Sequence, residues 1–154
     1  MPVKRAVVQR VAEAWVSVDG EIVGSIGQGR VVLVGATHFA AERDAVAIAD
    51  TLAGLRVFPD EDGLMNRSVQ DIAGSCLIVS QFTLYGATRR GRRPSFTAAA
   101  RPETAQPLVE AVVARIGEHG IPTSTGVFGA MMKVSLVNDG PVTLILESTD
   151  GKIV

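Results

Sequence analysis

Apolar residues in the first third of the chain alternate with polar ones or form short valine-rich runs, a pattern typical of β-strands. It predicts four strands, at residues 5–11, 14–18, 21–26 and 30–35. The Asp19-Gly20 pair between the second and third strands favours a two-residue hairpin turn, because both residues tolerate positive φ angles. The amino-terminal part is therefore predicted to be a β-meander.

The spacing of apolar positions becomes helical at two places further along. Alanine and aliphatic side chains recur at helical spacing over residues 39–55 and over residues 102–118, where Pro102 suits a first helical turn. Further strands are predicted at residues 75–84, 121–126, 130–138 and 142–148. The order of elements predicts an α+β fold, in one compact domain over residues 1–154, with mainly antiparallel strands and two main helices.

Composition narrows the possible functions. The 154 residues suit one domain, and 15 Lys+Arg against 16 Asp+Glu leave a formal net charge of −1. This balance excludes a strongly basic protein that binds nucleic acid over its whole surface, and we expect no DNA partner. No run approaches the roughly 18 apolar residues of a membrane span, so we expect a cytoplasmic protein with no membrane partner.

The chain contains few titratable or metal-binding side chains. One cysteine and two histidines cannot supply an internal disulfide or a structural zinc site, and we expect no metal and no cofactor. Cys76 lies in an aliphatic run and is predicted to be a core residue. His119 is expected at a helix end and His38 in a loop, both without a catalytic role. The acidic segment 59–63 is interpreted as a solvated loop.

Four of the basic residues occupy one loop, within five positions: Arg89, Arg90, Arg92 and Arg93. One interpretation is a solvated charge cluster. The other is a contact with a phosphate backbone, because guanidinium groups dock on phosphate oxygens and release counterions. The residues alone leave both interpretations open.

Two polar stretches, residues 80–83 and 138–143, follow or separate apolar strands, where binding residues are often held on a rigid scaffold. By frequency alone, the Gly140-Pro141 bond within the second stretch is expected to be trans.

These stretches belong to six motifs that resemble the D-aminoacyl-tRNA deacylase family, in that family's order. They are Val8-Gln9-Arg10-Val11, Asp62-Gly63-Leu64-Met65-Asn66, Ser80-Gln81-Phe82-Thr83-Leu84-Tyr85, Gly91-Arg92-Arg93-Pro94-Ser95-Phe96, Phe128-Gly129-Ala130-Met131-Met132 and Asn138-Asp139-Gly140-Pro141-Val142-Thr143. The chain departs from the family at Ala87 and Met131, where relatives carry acidic residues.

The resemblance implies a homodimeric hydrolase for chiral proofreading, whose substrate is the 3′ end of aminoacyl-tRNA. It would cleave the ester of D-aminoacyl-tRNA, and of glycyl-tRNA formed on alanine tRNA. In such an enzyme Gly140-Pro141 is a cis peptide that reaches into the partner subunit's pocket and excludes L side chains, held by Arg10. The remaining implied residues are Ser80, Gln81, Phe82 and Thr83 as catalytic, Phe96, Phe128 and Met132 as substrate-binding, and the four arginines of the basic loop as tRNA-binding.

The chemistry leaves two mechanisms open. An aminoacyl ester is already activated, so the backbone N–H groups of Phe82 and Thr83 can suffice as oxyanion donors for attack by water. Alternatively, the Thr83 hydroxyl is a nucleophile, although no histidine or lysine stands beside it in sequence. A non-catalytic RNA-binding module and a hydrolase with a Ser-His-Asp triad are the competing functions.

Overall fold

Two long strands form the centre of one curved sheet in the computed structural model, which describes residues 2–154. In chain order the elements are β1 (Lys4–Val18), β2 (Glu21–Ile26), β3 (Gly29–Ala36), α1 (Glu42–Gly54), β4 (Phe58–Pro59), β5 (Met65–Arg67), β6 (Ser75–Ser80), a 3₁₀ helix (Phe82–Tyr85), α2 (Pro102–Glu118), β7 (Thr123–Thr125), β8 (Lys133–Thr149) and β9 (Lys152–Ile153). Within residues 2–154, no helix has the length and apolar character needed to cross a membrane.

The sheet runs in the order β7-β6-β3-β1-β8-β9, and β2 pairs with the second half of β1. Strand β1 is antiparallel to β2, β3 and β8, whereas β6 is parallel to both of its neighbours. The sheet curves until β2 meets β7, where the Ser124 hydroxyl donates to the Ser25 carbonyl at 3.1 Å. The predicted α+β fold with mainly antiparallel strands and two main helices is confirmed; the two parallel pairs were not predicted.

Several predicted boundaries were wrong. The strands at 5–11 and 14–18 are one strand, because a register shift against β8 accommodates the exposed residues 12 and 13. The strands at 130–138 and 142–148 are likewise one strand, β8. The strand predicted at 75–84 ends at Ser80, and the chain turns into the 3₁₀ helix. Strand β7 covers only the middle of 121–126.

The two helices agree better with the sequence pattern. Helix α2 has the predicted bounds, whereas α1 starts three residues later than predicted. Its start is set by Asp44, whose carboxylate accepts a hydrogen bond from the Ala41 N–H at 2.9 Å. Both helices pack on one face of the sheet, and their apolar side chains meet Val8, Val32 and Ile78 there.

The opposite face of the sheet has a smaller core of its own. Val11, Val16, Val31 and Leu77 are buried there, and Leu136 packs against them as the sheet curves. Cys76 lies on the helix-covered face, fully buried, which confirms its assignment to the core. Burial raises the pKa of its thiol, against the opposing effect of the nearby Arg30 guanidinium.

Arg30 is a fully buried charge under the end of α1. Its guanidinium donates to the Leu52 carbonyl in the last turn and to the Cys76 sulfur at 3.5 Å. Carbonyls of a helix's last turn lack intrahelical partners, and the negative end of the helix dipole favours a cation. Arg30 therefore fastens α1 to the sheet.

Lys4, at the start of β1, is the second buried cation. Its ammonium group has no hydrogen-bond partner in the part of the chain that the structure describes. Burial lowers its pKa from 10.5 to about 8, and the Asp44 carboxylate partly opposes that shift. Asp44 itself already accepts hydrogen bonds from the Ser148 hydroxyl at 3.0 Å and the Gly151 N–H at 2.9 Å. The charge on Lys4 is thus costly to the fold.

We predict that Lys4→Met raises the free energy of unfolding at pH 7, by up to about 3 kcal/mol. Because the pKa of Lys4 is about 8 when folded and 10.5 when unfolded, the unfolded chain binds more protons between these values. The stability of the unmodified protein should therefore rise relative to the variant as pH increases through this window. Urea unfolding of both proteins at pH 7 and pH 10 measures the effect. A difference that is the same at both pH values would contradict it.

Candidate functional site

A cavity of about 800 Å³ opens where β3 and β6 end. It is bounded by the 3₁₀ helix, the first turn of α2 and the segment before β8. Seven of the site residues that the sequence singled out line this cavity: Ser80, Gln81, Phe82, Thr83, Phe96, Phe128 and Met132. Residues far apart in sequence are thus brought together in one concave site, the usual form of a small-molecule pocket.

The 3₁₀ helix places two free backbone donors at this cavity. The Gln81 N–H still donates to Val34 on the neighbouring strand at 2.8 Å, and the first bond of the turn runs from Leu84 N–H to the Gln81 carbonyl at 3.3 Å. The amides of Phe82 and Thr83 lie between these two bonds. Over residues 2–154, neither amide has a hydrogen-bond acceptor, as is usual for the first N–H groups of a helix.

The Thr83 hydroxyl has an amide as its neighbour. Gln81 Nε2 donates to Thr83 Oγ1 at 3.1 Å. His38 Nε2 donates to the Thr97 carbonyl oxygen, in the segment before α2, at 2.9 Å, and His119 Nε2 lies 2.7 Å from Asp50 Oδ1. Neither histidine lines the cavity, so neither is placed to take a proton from Thr83 or Ser80.

Aromatic and sulfur-containing side chains form much of the wall. The rings of Phe82 and Phe96 meet edge to face, with centroids 5.3 Å apart. Phe82 remains 55% exposed and Met131, at the rim, 92% exposed. Apolar groups of this size are exposed on a monomer mainly where something binds.

Arg5, which the sequence reasoning missed, anchors the far end of the 3₁₀ helix. Its guanidinium donates to the Leu84 carbonyl at 2.8 Å, pairs with Glu147 at 2.8 Å and lies over the Tyr85 ring at 4.8 Å from the centroid. Burial of Tyr85 raises the pKa of its phenol to about 12. The sequence offered one indication of this role, a charged residue within a valine-rich strand. It could not identify the partners of Arg5, because they lie about 80 and 140 residues away along the chain.

The segment around Gly140-Pro141 lies outside the cavity, exposed on β8. Its peptide bond is cis, as the resemblance implied and contrary to the expectation from frequency. Arg10 donates through Nε to the Asp139 carbonyl at 2.8 Å and through Nη1 to the Val57 carbonyl at 2.7 Å. Arg10 thus hydrogen-bonds the segment that the resemblance implies it holds.

The basic loop (residues 87–95) stands apart from the cavity but is joined to it through Phe96. Ala87 and Ser95 exchange backbone hydrogen bonds of 2.7 and 2.8 Å, which close the loop at its base. All four of its arginines are exposed, and no carboxylate in residues 2–154 pairs with them.

The acidic loop has a structural explanation. Asp60 Oδ1 accepts from the N–H groups of Asp62 and Leu64 at 2.9 and 3.0 Å, which holds the turn between β4 and β5. In the described part of the chain, no three His, Cys, Asp or Glu side chains come together as a metal site.

We predict that Gly140→Ala destabilises the fold and disorders this segment. Gly140 has φ +139°, and an added Cβ would lie 2.9 Å from the Val142 nitrogen and 3.1 Å from Arg10 Nη2. Gly91→Ala is the matched control, because its φ of +141° is similar and a Cβ there meets nothing within 4 Å. Backbone strain costs about 1–3 kcal/mol at either site, and crowding adds a similar amount at Gly140 alone. Equal losses in urea unfolding would contradict this account.

Comparison with known proteins identifies the family. The family model described as D-Tyr-tRNA(Tyr) deacylase matches residues 7–147. A D-aminoacyl-tRNA deacylase of Thermus aquaticus is 60% identical over 95% of this chain and 96% of its own length, and one of a Geobacillus species is 56% identical over the same shares.

Solved structures agree with these sequence matches. The c-Myc DNA unwinding element binding protein superposes with a TM-score of 0.87 at 37% identity, over 94% of this chain and 99% of that one. A probable eukaryotic D-amino acid tRNA deacylase shares the fold, with a TM-score of 0.80 at 16% identity and the same coverage. The chain therefore belongs to the D-Tyr-tRNA(Tyr) deacylase family, and it is a hydrolase that acts on the ester bond of D-aminoacyl-tRNA.

Proposed function

We propose that this hydrolase is a homodimeric chiral proofreading enzyme whose oxyanion donors are main-chain amides. It removes D-amino acids, and glycine from glycyl-tRNA formed on alanine tRNA, and it rejects L-aminoacyl-tRNA. Its substrate end is the terminal adenosine, and it acts in the cytoplasm, where aminoacyl-tRNA is formed and used. No cofactor or metal takes part in the proposed mechanism.

The observation that carries the mechanism is the pair of unbonded amides at Phe82 and Thr83 in the cavity. Ester hydrolysis develops negative charge on the carbonyl oxygen, and fixed N–H donors stabilise that charge without reorganising. One such donor contributes roughly 3 kcal/mol in known oxyanion holes. The ester is already activated by its α-ammonium group and vicinal hydroxyl, so positioned water suffices as the nucleophile.

Thr83 is assigned the donor role through its amide rather than the nucleophile role through its hydroxyl. A threonine nucleophile needs a base within hydrogen-bond reach. The partner of its hydroxyl is the Gln81 amide, at 3.1 Å, and an amide takes no proton. Ser80 and Gln81 then serve to shape the site, and Phe96, Phe128 and Met132 contact the substrate.

Selectivity for the D configuration is assigned to Gly140-Pro141 of a partner subunit. In one protomer this segment lies outside the cavity, exposed and held by Arg10. A rigid backbone segment inserted from a second copy can obstruct an L side chain while leaving room for glycine and D residues. Such a steric filter predicts broad tolerance among D side chains.

The apolar surface around this segment supports a second copy as the partner. Along β8 the exposed aliphatic side chains are Val134, Val137, Leu144 and Ile145, and Met131 adjoins them. These side chains lie on both faces of β8, and a concentration of exposed apolar groups along one strand is typical of an interaction surface. Because the surface includes the cavity rim, dimerisation would bring the partner close to the site.

The four arginines of the basic loop are assigned to the tRNA backbone. They are exposed, free of carboxylate partners among the described residues, and connected to the cavity wall at Phe96. A single strand entering the cavity with its 3′ end would place its phosphates outside, where guanidinium groups can reach them.

The central test compares D-tyrosyl-tRNA with L-tyrosyl-tRNA. We expect the purified protein to release D-tyrosine rapidly, to release glycine from glycyl-tRNA, and to leave L-tyrosyl-tRNA intact. Free amino acid is measured against time at equal enzyme concentration. Release of neither tyrosine would favour the non-catalytic RNA-binding module, and equal release of both would overturn chiral selectivity.

The contribution of the dimer to selectivity is tested by placing a charge on the apolar surface. Ile145 is 62% exposed there, and Ile22, 64% exposed on β2, is a control of equal character elsewhere. Ile145→Asp should sediment as a monomer and lose its preference for D over L substrate, whereas Ile22→Asp should retain both. A monomeric Ile145→Asp that still discriminates fully would refute a cross-subunit filter.

Replacement of Thr83 distinguishes the two mechanisms. Thr83→Ala keeps the amide and should keep kcat within about threefold, since the hydroxyl is not the nucleophile. Thr83→Pro removes the N–H at an early helical position that proline tolerates, and should lower kcat by roughly 10²–10³-fold. Single-turnover assays with D-tyrosyl-tRNA measure both, and circular dichroism checks folding. A loss near 10⁴-fold in Thr83→Ala would establish a covalent role.

The basic loop is tested through salt dependence. If all four arginines contact one strand, log affinity should fall against log salt with a slope that is steeper by roughly 3 than in the variant with four glutamines. Arg56→Gln, an exposed change on another loop, should leave the slope unaltered. Binding of tRNA without an attached amino acid at 50 to 300 mM salt gives the slopes. Identical slopes would favour the interpretation of the loop as a solvated charge cluster.

A further inference from the structure

Phe39 is an exposed aromatic residue outside the cavity. It lies in the turn between β3 and α1, is 79% exposed and does not line the cavity. A ring left in water to this extent adds little apolar burial to the fold. Isolated exposed apolar side chains are common on protein surfaces, so the significance of this ring depends on its surroundings.

The turn that carries Phe39 is fixed by hydrogen bonds. The Phe39 N–H donates to Thr37 Oγ1 at 3.4 Å, and the Ala40 N–H donates to the Thr37 carbonyl at 3.2 Å. Thr37 is itself buried, and its hydroxyl donates to the Val3 carbonyl at 3.1 Å. Because the backbone is already ordered, a ligand that meets the ring loses little binding energy to ordering it.

This turn lies against the segment that joins the basic loop to α2. Thr37 pairs with Ala99 in an antiparallel bridge, and the Ala100 N–H donates to the Ala36 carbonyl at 2.8 Å. Ala99 and Ala100 also line the cavity. Phe39 is therefore held next to the cavity wall without being part of it.

His38 links the same turn to the base of the basic loop. Its Nε2 donates to the Thr97 carbonyl at 2.9 Å, and Thr97 Oγ1 lies 3.3 Å from Ser95 Oγ. Ser95 closes the loop by its backbone bonds with Ala87. Since two residues span at most roughly 7 Å of chain, the turn and the loop base are neighbours on the surface.

The surface beside Phe39 is positively charged. Residues 86–101 contain five arginines and no aspartate or glutamate. All five are exposed, and none forms an ion pair within residues 2–154: Arg89, Arg90, Arg92, Arg93 and Arg101. Glu42 and Glu103, exposed at the starts of the two helices, offset this charge only in part.

An exposed ring beside unpaired arginines suits single-stranded RNA. Guanidinium groups dock on the phosphates, while an aromatic face stacks on an unpaired base. The acceptor end of tRNA is single-stranded next to its terminal adenosine, so its bases are free to stack. An acidic peptide would engage the arginines but has no base to place on the ring.

We propose that Phe39 stacks on an unpaired base of the tRNA acceptor end, upstream of the terminal adenosine, while the basic loop holds the flanking phosphates. This assignment rests on the proposed function, which places the terminal adenosine and its ester in the cavity. Phe39 is then a binding residue for RNA and not a catalytic residue. Because every base has a π face, the contact adds affinity with little preference among bases.

Kinetics with two substrates test the contact. Phe39→Ala and Phe39→Leu should both raise KM for D-tyrosyl-tRNA by roughly tenfold with kcat unchanged, because leucine keeps the apolar bulk but has no π face. Phe39→Trp should keep the low KM. D-tyrosyl-adenosine lacks the upstream nucleotides, and its KM should be the same in every variant. Ile22→Ala, which truncates a residue 64% exposed on β2, is the control and should behave as the unmodified protein.

Photocrosslinking reads the contact without hydrolysis. The probe is tRNA without an attached amino acid, with 5-iodocytidine at each unpaired cytidine of the acceptor end in turn. Irradiation of the complex should link one of these positions to Phe39, identified by mass spectrometry of the digested protein. The same link should form in Ile22→Ala and be absent in Phe39→Leu.

Four results would overturn the stacking contact. They are an unchanged KM for D-tyrosyl-tRNA in Phe39→Ala, full affinity in Phe39→Leu, equal KM increases for both substrates, and crosslinks confined to residues of the cavity. Sedimentation of Phe39→Ala adds a further check, since loss of self-association with unaltered tRNA affinity would assign the ring to a protein contact instead. Equal hydrolysis of D- and L-tyrosyl-tRNA would refute the proposed function, whereas a crosslink at Phe39 would still support the stacking contact.

Discussion

The antiparallel register of β1 against β3 and β8 is the constraint on which the rest of the structure depends. Successive residues of a strand point to opposite faces, so the register sends Lys4 towards the helices and Arg5 to the other face. Arg5 then reaches Leu84 and holds the 3₁₀ helix, and Arg10 reaches Asp139 beyond the register shift. A slip by one residue would exchange these faces and release the cavity and the Gly140-Pro141 segment together.

The proposed site, built on main-chain groups, would explain why so few titratable side chains suffice. The amides of Phe82 and Thr83 are positioned by hydrogen bonds on either side of them, from Gln81 and Leu84. Both histidines are occupied at other places in the fold, with His119 bonded to Asp50 between the two helices. The net charge of −1 is likewise a sum, in which the basic loop and the buried ammonium of Lys4 are offset by acidic residues elsewhere.

The local pattern of apolar and polar residues was sufficient to predict elements whose hydrogen bonds join residues close in sequence. The apolar stripe and Pro102 predicted α2 with its observed bounds, because a helix satisfies its backbone within itself. Six motifs in a fixed order were sufficient to identify the family. They also singled out the candidate residues 80–83, 96, 128 and 132, which share one cavity. The pattern did not predict that the strand ends at Ser80, since Phe82 and Leu84 alternate with polar residues as in a strand.

By itself, then, the sequence determined the fold class, the family and the candidate site residues that share one cavity. Only the tertiary structure decided the continuity of β1 and β8 and the end of β6 at the 3₁₀ helix. It also decided the partners of Arg5 and the burial of Lys4. The physical reason is that strand pairing and the desolvation of a charge depend on groups distant in sequence, whose arrangement no local pattern of hydrophobic and polar residues contains.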